Sequence, residues 1–272
     1  MRGLICYYSG SGNTKLACEA IAAKTSTIDF DLHDIVRDGI PELADYHLVG
    51  FATWTDFLNP PQRMKAFLES LPRQSHMPAF VFNTFGAFSA KTLASLDRWT
   101  QARGFHVIAG HSLHMPENYP PMIKRGQDFK DSPNKTELAA FEAFIAQLDR
   151  LAKSLSRGEA VPARQIGLSR FIPAFSRTHA RRSMGEKLVD TSACTQCGVC
   201  RDRCPYAAIR LDPTPVFDQT KCYGCWSCYN HCPTQAIFTR NIGGIAQYAH
   251  PNEQLQKNLA GSLFVNQSGS DA

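Results

Sequence analysis

Over the first 154 residues, apolar positions recur with two alternating periods. Residues 2–8 (RGLICYY) form a short apolar run ended by Ser-Gly, the pattern of a strand covered on both faces. Residues 15–24 (KLACEAIAAK) then place Leu16, Ala20 and Ala23 at helical spacing. Residues 28–34 (IDFDLHD) alternate as a strand, and the runs 47–53 (HLVGFAT) and 79–83 (AFVFN) predict two more. A helix is expected over 60–71, with prolines near its start, and another over 91–103. Residues 105–109 (FHVIA) predict the last strand. A polar, proline-bearing loop at 115–131, placed to cover a site, precedes a long amphipathic helix near 134–154. This alternation predicts an α/β domain over 1–154 with a doubly wound, five-stranded parallel sheet.

Beyond residue 154 the pattern changes. Residues 155–187 read as a basic linker, 188–240 as a small cysteine-rich domain and 241–272 as a C-terminal extension. The linker stretch 166–176 (IGLSRFIPAFS) is apolar between arginines and is expected to pack across the first domain. In the extension, a short helix is expected around 253–259 and a mobile Ser-Gly-Ser end.

The cysteines carry the sharpest chemical signal. Cys194, Cys197, Cys200 and Cys204, then Pro205, are followed by Cys222, Cys225, Cys228 and Cys232, then Pro233. Each set reads C-x₂-C-x₂-C-x₃-C-P, the bacterial run that holds [4Fe–4S] clusters, with the fourth cysteine reaching across to the other cluster. The expected ligand sets are Cys194, Cys197, Cys200 and Cys232 for one cluster, and Cys222, Cys225, Cys228 and Cys204 for the second. Zinc sites pair separated C-x₂-C hooks instead, and disulfides need an oxidising compartment. From Cys194 to Cys222 the offset is 28 residues, so CTQCGVCRDRCPYAAI aligns with CYGCWSCYNHCPTQAI as an internal repeat. Cys6 and Cys18 read as buried free thiols of the first strand and helix.

A second signal lies between the first strand and helix. Ser9, Gly10, Ser11, Gly12, Asn13 and Thr14 form a glycine-hydroxyl loop at a helix N-terminus, where backbone N–H groups and the helix dipole hold an anion. It lacks the Gly-Lys-Ser/Thr of a triphosphate loop and the G-x-G-x-x-G of a dinucleotide site. The hydroxyls of Ser9, Ser11 and Thr14, with the Asn13 amide, suit a phosphate monoester.

Residues 188–240 resemble the bacterial two-cluster ferredoxins through the paired cysteine runs. The Ser9–Thr14 loop matches S/T-x-S/T-G-x-T, the FMN phosphate loop of flavodoxins, at every specified position. Together the halves resemble the flavodoxin–ferredoxin fusion proteins, the EFR1-type ferredoxin family. The resemblance implies one FMN and two [4Fe–4S] clusters on one chain. It also implies flavin-ring loops after the third and fourth strands, at Thr53, Trp54 and Thr55 and at Thr84, Phe85 and Gly86. Trp54 and Phe85 would contact the ring, with Phe57 and Phe88 as alternates. No tyrosine stands in the second loop, where flavodoxins often carry one.

Charge adds a partner reading. The whole chain has a formal net charge of +5, and 157–187 alone, with seven Lys/Arg and two Glu, matches that excess. A basic linker suits an acidic redox partner docking nearby, or anionic lipid. No groove-reading motif supports nucleic-acid binding, and no apolar run is long enough for a membrane span. With no leader before the first strand, a cytoplasmic location is expected. His106, His111 and His114 invite a metal reading, against which stands that of satisfied strand and loop histidines. The expected function is electron transfer between FMN and two clusters and an external partner. Two alternatives remain, a flavin-dependent reductase of a quinone- or porphyrin-like acceptor and a redox sensor. A homodimer pairing one chain's clusters with the other's flavin is also open.

Overall fold

The structure, a computed structural model, describes residues 1–164, 171, 181, 184–242, 246–248 and 250–260. The expected packing of 166–176, apart from Phe171, and the Ser-Gly-Ser end lie outside the described residues. Strands β1 (Arg2–Tyr7), β2 (Asp29–Asp34), β3 (Leu48–Trp54), β4 (Met77–Phe85) and β5 (Phe105–His114) form one parallel sheet in the order β2-β1-β3-β4-β5. This is the flavodoxin-like winding, whose switch point lies between β1 and β3.

The apolar runs follow from burial on both faces. Along β1, Leu4 and Cys6 point into one core while Ile5 and Tyr7 point into the other. On β4, Phe80 and Phe82 take the side of Ile5, and Ala79 and Val81 the side of Leu4. Helices α1 (Asn13–Lys24) and α5 (Lys135–Ser156) cover the first face, and α2 (Gln62–Ser70) and α3 (Thr92–Ala102) the second. A short α4 (Pro120–Ile123) lies in the loop after β5. Helix α5 starts at a capping box in which Asn134 and Glu137 satisfy each other's backbone N–H, a device worth about 1 kcal/mol.

Strand β5 runs to His114, well past the expected end at residue 109. Its polar second half, GHSLH, carries no apolar period, yet its backbone pairs with Val81–Phe85 of β4. Extended pairing thus overrides side-chain pattern there.

The cysteine-rich part is built from β6 (Leu188–Val189), α6 (Val199–Asp202), β7 (Ile209–Asp212), β8 (Thr214–Phe217), α7 (Ser227–Asn230) and β9 (Ile237–Phe238). β6 pairs with β9 and β7 with β8, both antiparallel. Its small core of Met184, Ile209, Trp226, Tyr229, Ile237 and Ile242 takes in Phe57 and Tyr119 from the sheet half. Helix α8 (Glu253–Ala260) then returns to α1, burying Leu255 and Leu259 in the core of the sheet. Among the described residues, no helix is long and apolar enough to cross a membrane.

Candidate functional site: a cavity against two cysteine chambers

A cavity of about 390 Å³ opens beyond the carboxyl ends of β1, β3 and β4, a size within the roughly 300–1,000 Å³ that holds a cofactor. Its floor is the loop between β1 and α1, through Ser9, Gly10, Ser11, Asn13 and Thr14. Trp54 and Thr55 wall it from β3, and Thr84, Phe85 and Gly86 from β4. Phe57 and Phe88 also face it, although Phe88 is 67% exposed. Of the expected flavin contacts, Gly12 and Thr53 lie behind the wall. Gly12 sits at φ 101, where a Cβ would stand 2.8 Å from Pro251, so glycine is required both by backbone and by space. Thr53 is fully buried on β3 and its hydroxyl has no partner.

The loop hydroxyls already have protein partners. Gly12 N–H donates to Ser9 Oγ at 3.1 Å, Asn118 Nδ2 to Ser11 Oγ at 2.7 Å, and Thr14 Oγ1 lies 2.9 Å from Thr84 Oγ1. The Asn13 amide donates to the Pro116 carbonyl at 2.9 Å and accepts from Tyr248 Oη at 2.6 Å. Asn13 therefore ties the loop to its neighbours with both ends of its side chain. Two features still fit a phosphorylated flavin. Helix α1 has no side-chain cap and no acidic residue in its first turn, which leaves its positive end available to an anion. Trp54 Nε1, on the cavity wall, is buried without a partner. The residues present fit FMN.

The 115–131 loop is a pinned wall. Met115 N–H donates to Phe85 O, and Asn118 O accepts from Asn230 Nδ2 at 2.9 Å. Half-buried Glu117 accepts from the N–H groups of Asn118, Tyr119 and Ala87. Burial pushes its carboxyl up in pKa, and those three donors work against the rise.

The histidines do not converge. His106 Nε2 meets the Val161 carbonyl, His114 bonds Glu137 and stacks on Phe85, and His111 stacks on Phe144. Burial lowers His111 to about 4, so it is neutral near pH 7. No three His, Cys, Asp or Glu side chains among the described residues close on a single ion.

None of the ten cysteines, all among the described residues, is in a disulfide, and Cys6 and Cys18 are buried. The other eight line two small chambers of about 20 Å³ each. The outer chamber gathers Cys194, Cys197, Cys200 and Cys232. The inner one gathers Cys222, Cys225, Cys228 and Cys204. Four sulfurs spread around a void suit a cluster, which is ligated at several irons, better than one ion. In both chambers an alanine N–H donates to the crossing sulfur, Ala236 to Cys232 at 3.3 Å and Ala208 to Cys204 at 3.4 Å. The large cavity and the inner chamber share one wall, Gly224, Cys225 and Trp226.

Residues 193–236 match the family model described as the 4Fe-4S dicluster domain. That description means two clusters on this segment. No curated protein matches the chain. Among solved structures, a flavodoxin from the domain Archaea is 15% identical, with 56% of this chain and 99% of that one covered at a TM-score of 0.42. A WrbA-like flavodoxin from Agrobacterium tumefaciens is 16% identical over 57% of this chain and 98% of its own, at 0.43. A flavodoxin from Streptococcus pneumoniae is 16% identical over 58% and 99%, at 0.40.

Sequence reasoning missed what holds the halves together. Tyr223 Oη donates to buried Asp56 at 2.7 Å, and Tyr206 stacks on Tyr223 with centroids 4.6 Å apart. The C-terminal extension, outside every motif, bridges both halves. Gln247 Nε2 donates to the Tyr229 and Cys232 carbonyls, and Tyr248 reaches Asn13. Nothing in the pattern of 241–252 marks these contacts. Among the described linker residues, Arg157 pairs with Glu159, Arg164 with fully buried Asp97, and Lys187 is itself buried. Arg170, Arg177 and Arg182 lie outside the described residues.

Proposed function

We propose that the chain is an electron conduit linking one FMN in the large cavity, two [4Fe–4S] clusters in the cysteine chambers and an external redox partner. The observation that carries this reading is the wall shared by cavity and inner chamber, a single stretch of backbone at Gly224–Trp226. When bound, FMN exchanges one or two electrons and each cluster one at a time, which joins two-electron to one-electron chemistry. The chain's own residues bind, orient and insulate. Ser9, Ser11, Thr14 and the N-terminus of α1 would hold the phosphate, and Trp54 and Phe85 would flank the ring. Cys194, Cys197, Cys200 and Cys232 would hold the outer cluster, and Cys222, Cys225, Cys228 and Cys204 the inner one.

The pinned 115–119 segment and the 224–226 stretch wall the cavity where the cysteine half meets it, which favours a conduit over a reductase. Both cavity and chambers belong to one chain, so no second copy is needed to bring them together. In the outer chamber Cys197 is exposed, which supports docking of the external partner on that face. Units at 1–154, 155–187, 188–240 and 241–272 remain our division of the chain. Anaerobic purification with cofactor quantitation tests the reading. It predicts about one FMN with about eight iron and eight sulfide per chain. Eight iron without flavin would overturn the flavin half, and flavin without iron the cluster half.

A further inference from the structure

The two chambers share ligand spacing and the alanine N–H to sulfur bond, but not their charge. No residue lining the outer chamber carries a charged side chain. The inner chamber has Lys187. That side chain is only 2% exposed, and its ammonium stands 3.6 Å from the centroid of the Trp226 ring. The Lys187 carbonyl, at the entry to β6, accepts from Gln219 Nε2 at 3.3 Å, which fixes the backbone at that point. Trp226 in turn is held in the left-handed region at φ 64, a rare conformation for so bulky a residue and one that the surroundings must enforce. The cation is thus clamped against the wall that faces the large cavity.

We propose that Lys187 is an electrostatic tuning residue whose buried ammonium raises the reduction potential of the cluster held by Cys204, Cys222, Cys225 and Cys228. The inference rests on the cluster reading above. Reduction brings one electron into the chamber from a one-electron donor. No covalent bond forms or breaks, and the proton stays on Lys187 Nζ. The added negative charge is stabilised by a fixed positive one, and the low dielectric of a buried site screens the attraction poorly. Net charge, hydrogen bonds to sulfur and solvent exposure are the levers that set such potentials. The alanine N–H to sulfur bond is matched between chambers, the outer one adds only the Thr234 hydroxyl 3.8 Å from Cys232 Sγ, and Lys187 supplies the difference in charge. A raised inner potential draws electrons from the solvent-facing chamber toward the flavin cavity.

The test is an anaerobic, EPR-monitored redox titration of the full-length protein as wild type, Lys187→Met and Lys187→Arg, with iron and sulfide measured on each. The signal lost in Cys222→Ser identifies the inner cluster. Lys187→Met should lower the inner potential by at least a tenfold change in the one-electron equilibrium, about 59 mV, with the outer potential unmoved. Lys187→Arg should keep the wild-type value. A fully loaded Lys187→Met protein with an unchanged inner potential overturns the proposal. If Lys187→Met loses four iron while Lys187→Arg keeps all eight, the cluster needs the cation and the proposal stands. If both variants lose the cluster, Lys187 acts by packing and the proposal falls. Wild-type protein without clusters would instead refute the cluster reading itself.

Discussion

The two cysteine chambers come from one repeated sequence, yet they sit in opposite surroundings. Position by position, the outer chamber carries Thr195, Gly198 and Thr234 where the inner carries Tyr223, Trp226 and Tyr206. The backbone is conserved between the copies, since Gly198 at φ 77 and Trp226 at φ 64 are both left-handed N-caps. Only the side chains have diverged. Small residues leave the outer chamber near solvent, with Cys197 exposed. Aromatic ones let the inner chamber dock on the sheet through Asp56, Phe57 and Tyr119. The lesson is that ligand spacing determines what is bound, and the residues between the ligands determine which way each site faces.

The largest expected effect breaks the comparison outright. Cys225→Ser should abolish reduction of the flavin by a one-electron donor acting through the clusters, whereas Cys197→Ser, which damages the solvent-facing entry, should only slow it to the rate at which the donor reaches the inner chamber directly. Stopped-flow absorbance of the flavin after anaerobic mixing reads both. Equal loss in the two variants would mean that the chambers are not inner and outer in function.

Next in size is Trp226→Gly, which gives the inner chamber the outer residue. Removing a buried tryptophan costs about 3–5 kcal/mol, and relief of the left-handed backbone returns about 1 kcal/mol. The net loss of roughly 2–4 kcal/mol should appear as a lower Tm, at about 2–4 °C per kcal/mol for a chain near this size. A Tm equal to wild type would show that the aromatic wall contributes nothing to docking.

Smaller is Tyr223→Phe, which leaves the Asp56 carboxylate without this donor at a cost of about 1.5–3 kcal/mol. Limited proteolysis should then separate the sheet half from the cysteine half faster than in wild type. The smallest effect is expected for Gly198→Ala, where a Cβ in the left-handed region costs about 1–2 kcal/mol. That variant should keep its iron and lower Tm by a few degrees, while a larger fall would mean that Gly198 has a role beyond its backbone.

Much of this architecture is legible in the sequence, because its signals are local. The run RGLICYY marks β1 through burial on both faces, and the amphipathic period near 134–154 marks α5. Cysteine spacing encodes the two proposed ligand sets, whose eight members line two chambers. Contacts between distant segments leave no such period. The polar end of β5, Gly110 to His114, falls outside the expected strand because backbone pairing with β4 decides it. Lys187 reads as one cation of a basic linker because only the fold shows it turned inward over Trp226. The aromatic exchange between the repeats is visible on alignment, but which chamber meets the cavity depends on Tyr223 finding Asp56, a pairing over 167 residues of sequence.

The central claim is that electrons cross the Gly224–Trp226 wall within one chain. Its most direct test is anaerobic rapid mixing of the loaded protein with a one-electron reductant, following cluster bleaching and flavin reduction at several protein concentrations. The account predicts that flavin reduction follows cluster reduction with a first-order rate independent of protein concentration. A rate that scales with protein concentration, or clusters that stay reduced beside an oxidised flavin, would contradict it.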